Sequence, residues 1–404
     1  MTDVPAMLEI LRRGAVDLID EADLARKLAR GPVTVKVGFD PSAPDIHLGH
    51  TVILRKMRHF QDAGHRVVFV IGDFTGMIGD PSGKKATRPQ LTRDEIARNA
   101  ETYTKQAFKV LDKDRTIIEF NDRWLGKLGA AGMVRLASRV TVARILERDD
   151  FQKRWKAQQP IALHELLYPL AQAYDSVALK ADVELGGTDQ LFNLLVGRDL
   201  MRAEGLEPQV VMTLPLLVGT DGVEKMSKSL GNAIGVLDPP SDMFGKVMSI
   251  PDALLWNWYE LLTDEPLAAL AALRRRVEEG SVNPRDAKAR LGRTIVRQFH
   301  GTEAADRAEE DFRRAFSRGE VPDDVETRSL PVTGAAPAAK TLVALGLAAS
   351  MREARRKIAE GALRVYVDGT DAPREVRDPE EDLSAGGGGV LRLGRRFIRV
   401  AWTR

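Results

Sequence analysis

Two short motifs, far apart in the chain, carry side chains suited to handling phosphate. His47 and His50 end the stretch GFDPSAPDIHLGH and stand three residues apart, so a helix would place both imidazoles on one face. Lys225 and Lys228 belong to the motif KMSKS, which lies in a glycine-punctuated stretch. A helix N-terminus favours phosphate, and a mobile basic loop can close over a triphosphate and stabilise charge on a leaving pyrophosphate. Together the two motifs indicate a nucleotide site.

Each motif alone has a plainer explanation. Two histidines near the start of a helix are commonly surface or capping residues, and lysine–serine loops are common on protein surfaces. The H-x-x-H spacing would suit a pair of metal ligands, but the chain has no Cys, and His59 and His65 follow too far along to complete a compact ligand set. We therefore predict no protein-bound metal.

The predicted elements place the first motif after a strand. Val33, Val35 and Val37 alternate with polar residues as in a strand, and apolar residues recur at helical spacing over 48–60. The apolar run 66–71 has the length of a buried parallel strand and ends in a glycine-rich loop. This succession is the start of a Rossmann-like, parallel-sheet α/β domain, whose ligands bind at the carboxyl ends of its strands.

A second group of polar residues lies on a predicted helix that has Pro169 in its first turn. Tyr168, Gln172 and Asp175 form a polar stripe on this otherwise apolar helix. The plain alternative puts Tyr168 in the core and Asp175 in solvent. Polar groups in apolar surroundings are costly unless they are paired, and a bound amino acid with an ammonium group and a phenol would pair with them. The stretch ELGGTDQ at 184–190 adds glycines for close approach and an Asp suited to ribose hydroxyls.

The motifs HLGH and KMSKS resemble the two signatures of class I aminoacyl-tRNA synthetases. The longer stretches GFDPSAPDIHLGH, GDFTGMIGDPSGK, YPLAQAYD and VELGGTDQLFN make nearly the whole chain similar to the bacterial tyrosyl-tRNA synthetases. The resemblance implies a tyrosine–tRNA ligase, which activates tyrosine with ATP to tyrosyl-adenylate and pyrophosphate and transfers tyrosyl to the 3′ end of tRNA(Tyr). Such an enzyme needs no nucleophile of its own, because the tyrosine carboxylate attacks the α-phosphorus; its task is positioning and charge stabilisation.

The resemblance also implies a role for individual residues. Catalysis is expected from His47, His50, Lys225 and Lys228. Tyrosine is expected to contact Lys36, Asp80, Tyr168, Gln172, Asp175 and Gln190. ATP is expected to contact Gly38, Asp40, Ser42, His47, Gly49, His50, Gly187, Asp189, Lys225, Met226, Ser227, Lys228 and Ser229. The ammonium is assigned to Asp80, Tyr168 and Gln172 and the phenol to Asp175, while Mg²⁺ is expected to arrive with ATP.

Two positions depart from the resembled enzymes, many of which carry Tyr in place of Lys36 and Gln in place of Glu184. The two departures are complementary in charge, and both border the tyrosine pocket that the resemblance implies. We predict that Lys36 and Glu184 form an ion pair near this pocket, with Lys36 also reaching toward Asp175. The plain alternative is that Lys36 points to solvent.

The length of 404 residues predicts two or three domains. We predict a Rossmann-like catalytic domain at 1–234 with a connective insertion at about 84–160, an α-helical domain at 235–325, a linker at 326–340 and a small α+β domain at 341–404. By resemblance, the insertion builds a homodimer interface and the helical domain faces the anticodon side of tRNA. The last domain resembles the S4 RNA-binding domain, and its candidate RNA contacts are Arg352, Arg355, Arg356 and Arg364.

Composition excludes some classes of protein and leaves two alternatives open. The net charge of +2 is too small to indicate a nucleic-acid binder alone, and a solvated basic face would equally explain the C-terminal arginines. The absence of Cys, of long apolar runs and of a signal-peptide pattern predicts a cytoplasmic protein without a membrane partner. Tryptophanyl-tRNA synthetases share the fold and both signatures, and a non-catalytic RNA-binding chaperone could use the same scaffold.

Overall fold

The computed structural model describes residues 4–41, 45–81, 92–317, 321, 325–332, 334–367, 373–386, 389–394 and 396–403. The chain forms two compact units, one of Met1–Val236 with Glu260–Asp264 and the other of Leu237–Tyr259 with Glu265–Arg404. Within the described ranges, no helix is both long enough and apolar enough to cross a membrane.

A six-stranded sheet forms the centre of the first unit. Its strands are β1 (Asp17–Ile19), β2 (Thr34–Phe39), β3 (Arg66–Ile71), β4 (Thr116–Phe120), β5 (Val183–Gly187) and β6 (Val210–Leu214). Their order is β1-β6-β5-β2-β3-β4, and the neighbours pair in parallel except β1, which is antiparallel to β6. β5 and β6 are buried along their whole length, as expected of parallel strands covered on both faces. The sheet confirms the predicted α/β class.

Helices connect these strands and cover the sheet. They are α1 (Val4–Arg12), α2 (Glu21–Arg30), α3 (Leu48–Asp62), α4 (Thr75–Ile78), α5 (Arg93–Ala107), α6 (Asp122–Leu125), α7 (Gly129–Ala137), α8 (Val142–Ile145), α9 (Asp149–Lys156), α10 (Tyr168–Leu179) and α11 (Leu191–Ala203). The start of α5 is a capping box in which Thr92 and Glu95 satisfy each other's backbone N–H groups. Pro169 lies in the first turn of α10, where a missing N–H costs nothing.

The pairing of β2 with β5 positions the ligand site. The two strands pair only at Val35 with Val183 and at Lys36 with Glu184, and they separate beyond these residues. Here the strand order also reverses, because β3 and β4 lie on one side of β2 while β5 and β6 lie on the other. Open parallel sheets bind their ligands at such a switch point, outside the carboxyl ends of the strands.

The second unit begins with helices. These are α12 (Pro240–Met248), α13 (Leu255–Leu262, whose last turn belongs to the first unit), α14 (Leu267–Glu278), α15 (Pro284–His300) and α16 (Thr302–Ser317). The side chain of Asn283 caps α15 by accepting the backbone N–H of Arg285. Tyr259 ties α13 to α15 through a hydrogen bond of 2.8 Å from its hydroxyl to the backbone oxygen of Ala287.

The C-terminal part of the second unit is a five-stranded sheet with two helices. The elements are β7 (Thr327–Pro331), α17 (Ala338–Ala344), α18 (Met351–Ala359), β8 (Leu363–Val367), β9 (Arg374–Val376), β10 (Gly389–Leu393) and β11 (Arg396–Thr403). The strand order is β7-β11-β10-β8-β9. The helices pack with one face of the sheet around a buried core that includes Leu342, Ile358, Val365, Leu391 and Ile398.

The segment predicted as a linker, 326–340, is partly folded. Thr327–Pro331 is strand β7, which pairs in parallel with β11, and α17 begins at Ala338. The proline and glycine content misled the prediction, because an edge strand tolerates Pro at its end. Leu330 supplies the apolar contact with the core that fixes this strand. The C-terminal sheet therefore begins before residue 341.

Candidate active site

His47 and His50 lie at the N-terminus of α3, as the sequence predicts. Nδ1 of His47 accepts the backbone N–H of Gly49 at 3.2 Å, and Nδ1 of His50 accepts the backbone N–H of His47 at 3.2 Å. These bonds place the proton of each neutral ring on Nε2. A Cβ at position 49 would lie 2.9 Å from the ring of His47, so this close approach requires glycine.

The surroundings keep both imidazoles neutral. Burial lowers the pKa of His50 to about 4, and the positive charge of Lys228 adds to the effect. Burial, followed by the charges of His50 and Lys228, lowers the pKa of His47 well below its usual value. At neutral pH each ring is therefore an uncharged N–H donor, and the positive charge of this region comes from lysine.

The KMSKS segment is anchored by Asn232, which sequence reasoning missed. The side chain of Asn232 accepts the backbone N–H of Ser227 at 2.8 Å and donates to the backbone oxygen of Lys225 at 3.2 Å. It also donates to Asp221 at 2.7 Å, and the side chain of Met226 is buried beside this anchor. These contacts fix the middle of the motif. The only sequence signal was the position of Asn232 next to a glycine after the motif.

Each lysine of the motif lies near an acid that follows a strand of the sheet. Asp45 comes after β2, and Asp189 comes after β5. Lys228 forms an ion pair with Asp45, two residues before His47. Nζ of Lys225 lies 3.7 Å from Oδ2 of Asp189, which follows β5. The two signature motifs, more than 170 residues apart in the chain, therefore meet at one edge of the sheet. Ser229 lies in the same segment, with its hydroxyl 3.0 Å from that of Ser227.

Two glycines lie at this edge of the sheet, Gly38 at an exposed position and Gly187 at a buried one. A Cβ at Gly38 would meet no atom within 4 Å, so open space lies above the end of β2. A Cβ at Gly187 would lie 2.5 Å from Oδ1 of Asp189, so glycine is needed for this carboxylate to keep its position. Ser42, also predicted to contact ATP, lies outside the described residues.

A second cluster surrounds the polar stripe of α10. The side chains of Tyr168 and Asp175 are buried, so neither lies in solvent. The Tyr168 hydroxyl donates to Oδ2 of Asp40 at 2.7 Å, and the Thr75 hydroxyl donates to Oδ1 of Asp40 at 2.6 Å. Burial raises the pKa of Asp40 to about 7 despite these two hydrogen bonds. Asp40, which the sequence predicts to contact ATP, is thus hydrogen-bonded to Tyr168 of α10, the helix that carries the polar stripe.

Asp175 receives two neutral donors. Nε1 of Trp124 donates to Oδ1 at 2.8 Å, and Nδ2 of Asn121 lies 3.4 Å from Oδ2. Burial raises the pKa of Asp175 to about 6, and the positive charge of Lys36 opposes this rise. The sequence indicated only that Asn121 and Trp124 follow a strand, which puts them at the correct edge of the sheet.

Asp80 and Gln190 are brought together as predicted, through partners that the sequence did not reveal. Nη2 of Arg148 lies 2.9 Å from Oδ1 of Asp80, and Gln190 donates to Oδ2 of Asp80 at 2.8 Å. Arg148 also donates to Asn193 at 3.2 Å, and Asn193 donates to Gln172 at 3.0 Å. A chain of hydrogen bonds therefore joins Asp80 to α10. Arg148 and Asn193 belong to no recognisable motif.

The predicted ion pair between Lys36 and Glu184 is confirmed. Nζ of Lys36 lies 2.8 Å from Oε1 of Glu184, and each side chain is 1% exposed, so Lys36 does not point to solvent. Lys36 also donates to the backbone oxygen of Gln172 at 3.3 Å. Its charge lowers the pKa of Asp175 without an ion pair between the two residues. The ion pair therefore lies against α10, the helix that carries the polar stripe.

Comparison with known proteins identifies the family. A sequence profile described as class I tRNA synthetases (W and Y) matches residues 28–317. The tyrosine–tRNA ligase of Aromatoleum aromaticum is 55% identical over 398 residues, which cover 98% of this chain and 98% of the relative. That of Haemophilus influenzae is 54% identical over 402 residues, which cover 99% of this chain and 98% of the relative. The chain belongs to the tyrosyl-tRNA synthetases.

Solved structures are similar to this synthetase in fold. The tyrosyl-tRNA synthetase of Archaeoglobus fulgidus complexed with L-tyrosine has a TM-score of 0.62 at 23% identity and covers 76% of this chain and 100% of that one. Plasmodium falciparum tryptophanyl-tRNA synthetase has a TM-score of 0.59 at 15% identity, covering 77% and 89%. The full-length tyrosine relatives decide against the tryptophan enzyme and the non-catalytic chaperone. This synthetase is a tyrosine–tRNA ligase, with ATP, tyrosine and tRNA(Tyr) as its substrates.

Proposed function

We propose that tyrosine and ATP meet above the separated ends of β2 and β5, with the tyrosine carboxylate in line with the α-phosphorus. His47 and His50 donate from Nε2 to phosphate oxygens, and Lys225 and Lys228 neutralise the departing pyrophosphate. The observation that carries this proposal is the ion pair of Lys228 with Asp45, because it holds the KMSKS motif within reach of the histidines. The enzyme contributes position and charge, and no residue forms a covalent bond to the substrate.

We assign the binding contacts around this reacting centre as follows. The ammonium of tyrosine binds Asp80, Tyr168 and Gln172, with Gln190 beside them, and its phenol binds Asp175. The nucleotide binds along Gly38, Gly49, Gly187, Asp189, Met226, Ser227 and Ser229. Asp40 borders the nucleotide and also orients Tyr168, because its carboxylate accepts a hydrogen bond from the Tyr168 hydroxyl. Mg²⁺ bound to ATP would neutralise phosphate charge at this site.

Tyrosine-dependent exchange of pyrophosphate into ATP tests this function directly. We expect exchange with tyrosine and none with tryptophan at matched concentrations, because the site accepts a phenol hydroxyl at Asp175. Omission of the amino acid is the control. Equal exchange with tyrosine and tryptophan would contradict the assignment of the pocket.

We propose that the C-terminal sheet and its helices bind tRNA. Arg352, Arg355 and Arg356 lie exposed on α18, and Arg364 lies exposed on β8. Arg355 pairs with Glu380 at 3.0 Å and Arg356 with Glu360 at 2.9 Å, both at exposed positions. Exposed ion pairs contribute about 1 kcal/mol or less, so a phosphate can replace these acids.

The double variant Arg352→Ala/Arg364→Ala tests the tRNA proposal. We expect weaker tRNA binding and a smaller slope of log affinity against log salt, by about 0.9 for each phosphate that the variant no longer neutralises. Tyrosine-dependent exchange should stay unchanged. Arg374→Ala, which removes an arginine paired with Glu381 in the same domain, is the matched control. An unaltered salt slope would argue against a role for these two arginines in tRNA binding.

We propose that the enzyme is a cytoplasmic homodimer held by the connective insertion at about 84–160. Val134, Val142 and Trp155 of this insertion are 71%, 62% and 66% exposed, and an interface between subunits would cover such large apolar side chains. Sedimentation velocity should give the mass of two chains, and a monomer at micromolar concentration would contradict this proposal.

A further inference from the structure

The buried pair of Lys36 and Glu184 calls for a role beyond holding the sheet. Its members are the last paired residues of β2 and β5, at the floor of the crevice that opens between these strands. Withdrawing two charges from water costs several kcal/mol for each ion, and apolar side chains of similar size commonly stabilise a fold equally well or better. Sheet stability therefore does not account for the pair.

A third charged group faces this pair. Asp175 of α10 is 2% exposed, and its neutral donors are Trp124 and Asn121. The charged groups that act on it across the site are Lys36 from β2, Glu184 from β5 and Asp40 from the segment after β2. The carboxyl groups of Asp175 and Glu184 thus share one buried lysine. The ionisation of Asp175 depends on that lysine.

Glu184 determines where the lysine charge sits. Its Oε1 lies 2.8 Å from Nζ of Lys36, and its Oε2 accepts hydrogen bonds from Ser176 and Gln209. The backbone oxygen of Gln172 gives Lys36 another partner at 3.3 Å. These partners hold the ammonium away from direct contact with Asp175. The carboxylate of Asp175 therefore gains a nearby positive charge without an ion pair that would occupy its oxygens.

We propose that the Lys36–Glu184 pair is a positioning device for tyrosine recognition, in which Lys36 keeps Asp175 a charged acceptor for the phenol and Glu184 keeps Lys36 from occupying that acceptor. The proposal rests on the assignment of the phenol to Asp175. It makes Lys36 and Glu184 positioning residues that act through Asp175 and do not touch the substrate.

The two members of the pair act on Asp175 with opposite sign. Burial raises the pKa of Asp175 to about 6, Lys36 lowers it and Glu184 raises it, and the effect of Lys36 is the larger of these two charge effects. Loss of Lys36 therefore moves the pKa of Asp175 upward, and loss of Glu184 moves it downward. When the pH falls and Asp175 becomes protonated, it can no longer accept a charge-assisted hydrogen bond from the phenol hydroxyl.

The pH dependence of kcat/KM for tyrosine separates this device from a structural role. In pyrophosphate exchange between pH 5 and 8.5, the acid limb of Lys36→Met should move to higher pH by about one unit. The acid limb of Glu184→Gln should move to lower pH. A structural pair would instead make both variants lose activity without opposite shifts, and that outcome, or two unmoved limbs, would overturn the proposal.

Controls keep each outcome interpretable. Lys27→Met removes another buried lysine, whose Nζ lies 3.6 Å from Asp182 and which takes no part in the site, so its acid limb should not move. If Lys36→Met does not fold, Lys36→Met/Glu184→Gln provides a neutral pair, and its limb should lie above that of the unmodified enzyme. Asp175→Asn tests the underlying assignment: if it leaves tyrosine selection intact, the phenol is held elsewhere. If Asp175→Asn abolishes tyrosine selection but the acid limbs of Lys36→Met and Glu184→Gln coincide, the assignment of the phenol to Asp175 stands. Only the pair proposal then fails.

Discussion

Replacing Lys228 or His50 by alanine should slow formation of tyrosyl-adenylate by about 10²- to 10³-fold, which is typical for loss of one preorganised group that stabilises transition-state charge. Tyrosine affinity should change little, because both side chains lie on the phosphate side of the site, away from the stripe on α10. The measurement is the single-turnover rate of activation at saturating tyrosine and ATP, together with the tyrosine dissociation constant from equilibrium binding.

Folding effects can be separated from this loss of rate. Lys228 and Asp45 are each 42% exposed, so removing their ion pair should cost about 1 kcal/mol or less of folding free energy. His50→Ala also removes the acceptor for the backbone N–H of His47, so its thermal unfolding must be compared with that of the unmodified enzyme. Lys105→Ala removes an exposed lysine paired with Glu101 and is the matched control. A defect confined to tyrosine affinity, with an intact activation rate, would refute the assignment.

Local patterns predicted the parts of the fold that depend on nearby residues. The apolar run 66–71 became β3 with the predicted bounds, and Thr92 and Glu95, which have the spacing of a capping box, form one. These signals are strong because burial and backbone hydrogen bonding depend on the residues themselves. The two signature motifs were also placed correctly, because each follows a strand that ends at the same edge of the sheet.

The parts that the sequence did not reveal depend on contacts between distant segments. Arg148 lies beside Asp80, which is 68 residues earlier, and Trp124 reaches Asp175, which is 51 residues later. Neither residue type is informative without the fold, because a buried arginine and a surface arginine look alike in a sequence. The edge strand β7 was missed for the opposite reason, since its composition is that of a loop while its pairing with β11 is supplied from the far end of the chain. The ion pair of Lys36 with Glu184 was predictable because the two residues depart from the resembled enzymes with complementary charges. Both positions also border the same predicted pocket.

The largest expected effect on specificity is that of Asp175→Asn. A site that hydrogen-bonds a substrate hydroxyl rejects the analogue without it by about 10⁴ to 10⁵, because buried polar groups would be left unpaired. In the site that we propose, Asp175 is that group, and phenylalanine would leave its buried charge without the phenol donor. The variant should lose most of its preference for tyrosine over phenylalanine, measured as the ratio of kcat/KM values in pyrophosphate exchange, and the loss should come mainly from weaker use of tyrosine.

This substitution should not achieve its effect by unfolding the enzyme. Burial raises the pKa of Asp175 to about 6 from an unfolded value of 3.8. Its ionisation therefore costs folding free energy, which is lost as the pH rises through that interval and stays lost at higher pH. The amide removes this cost and keeps an oxygen that accepts the indole N–H of Trp124, while its NH2 group loses the contact with Nδ2 of Asn121, so the variant should stay close in stability to the unmodified enzyme at pH 7. Asp311→Asn, at a buried acid of α16, is the matched control and should leave the ratio unchanged. If Asp175→Asn folds normally and still rejects phenylalanine as strongly, the phenol is recognised by another group, and the polar stripe of α10 has a different ligand.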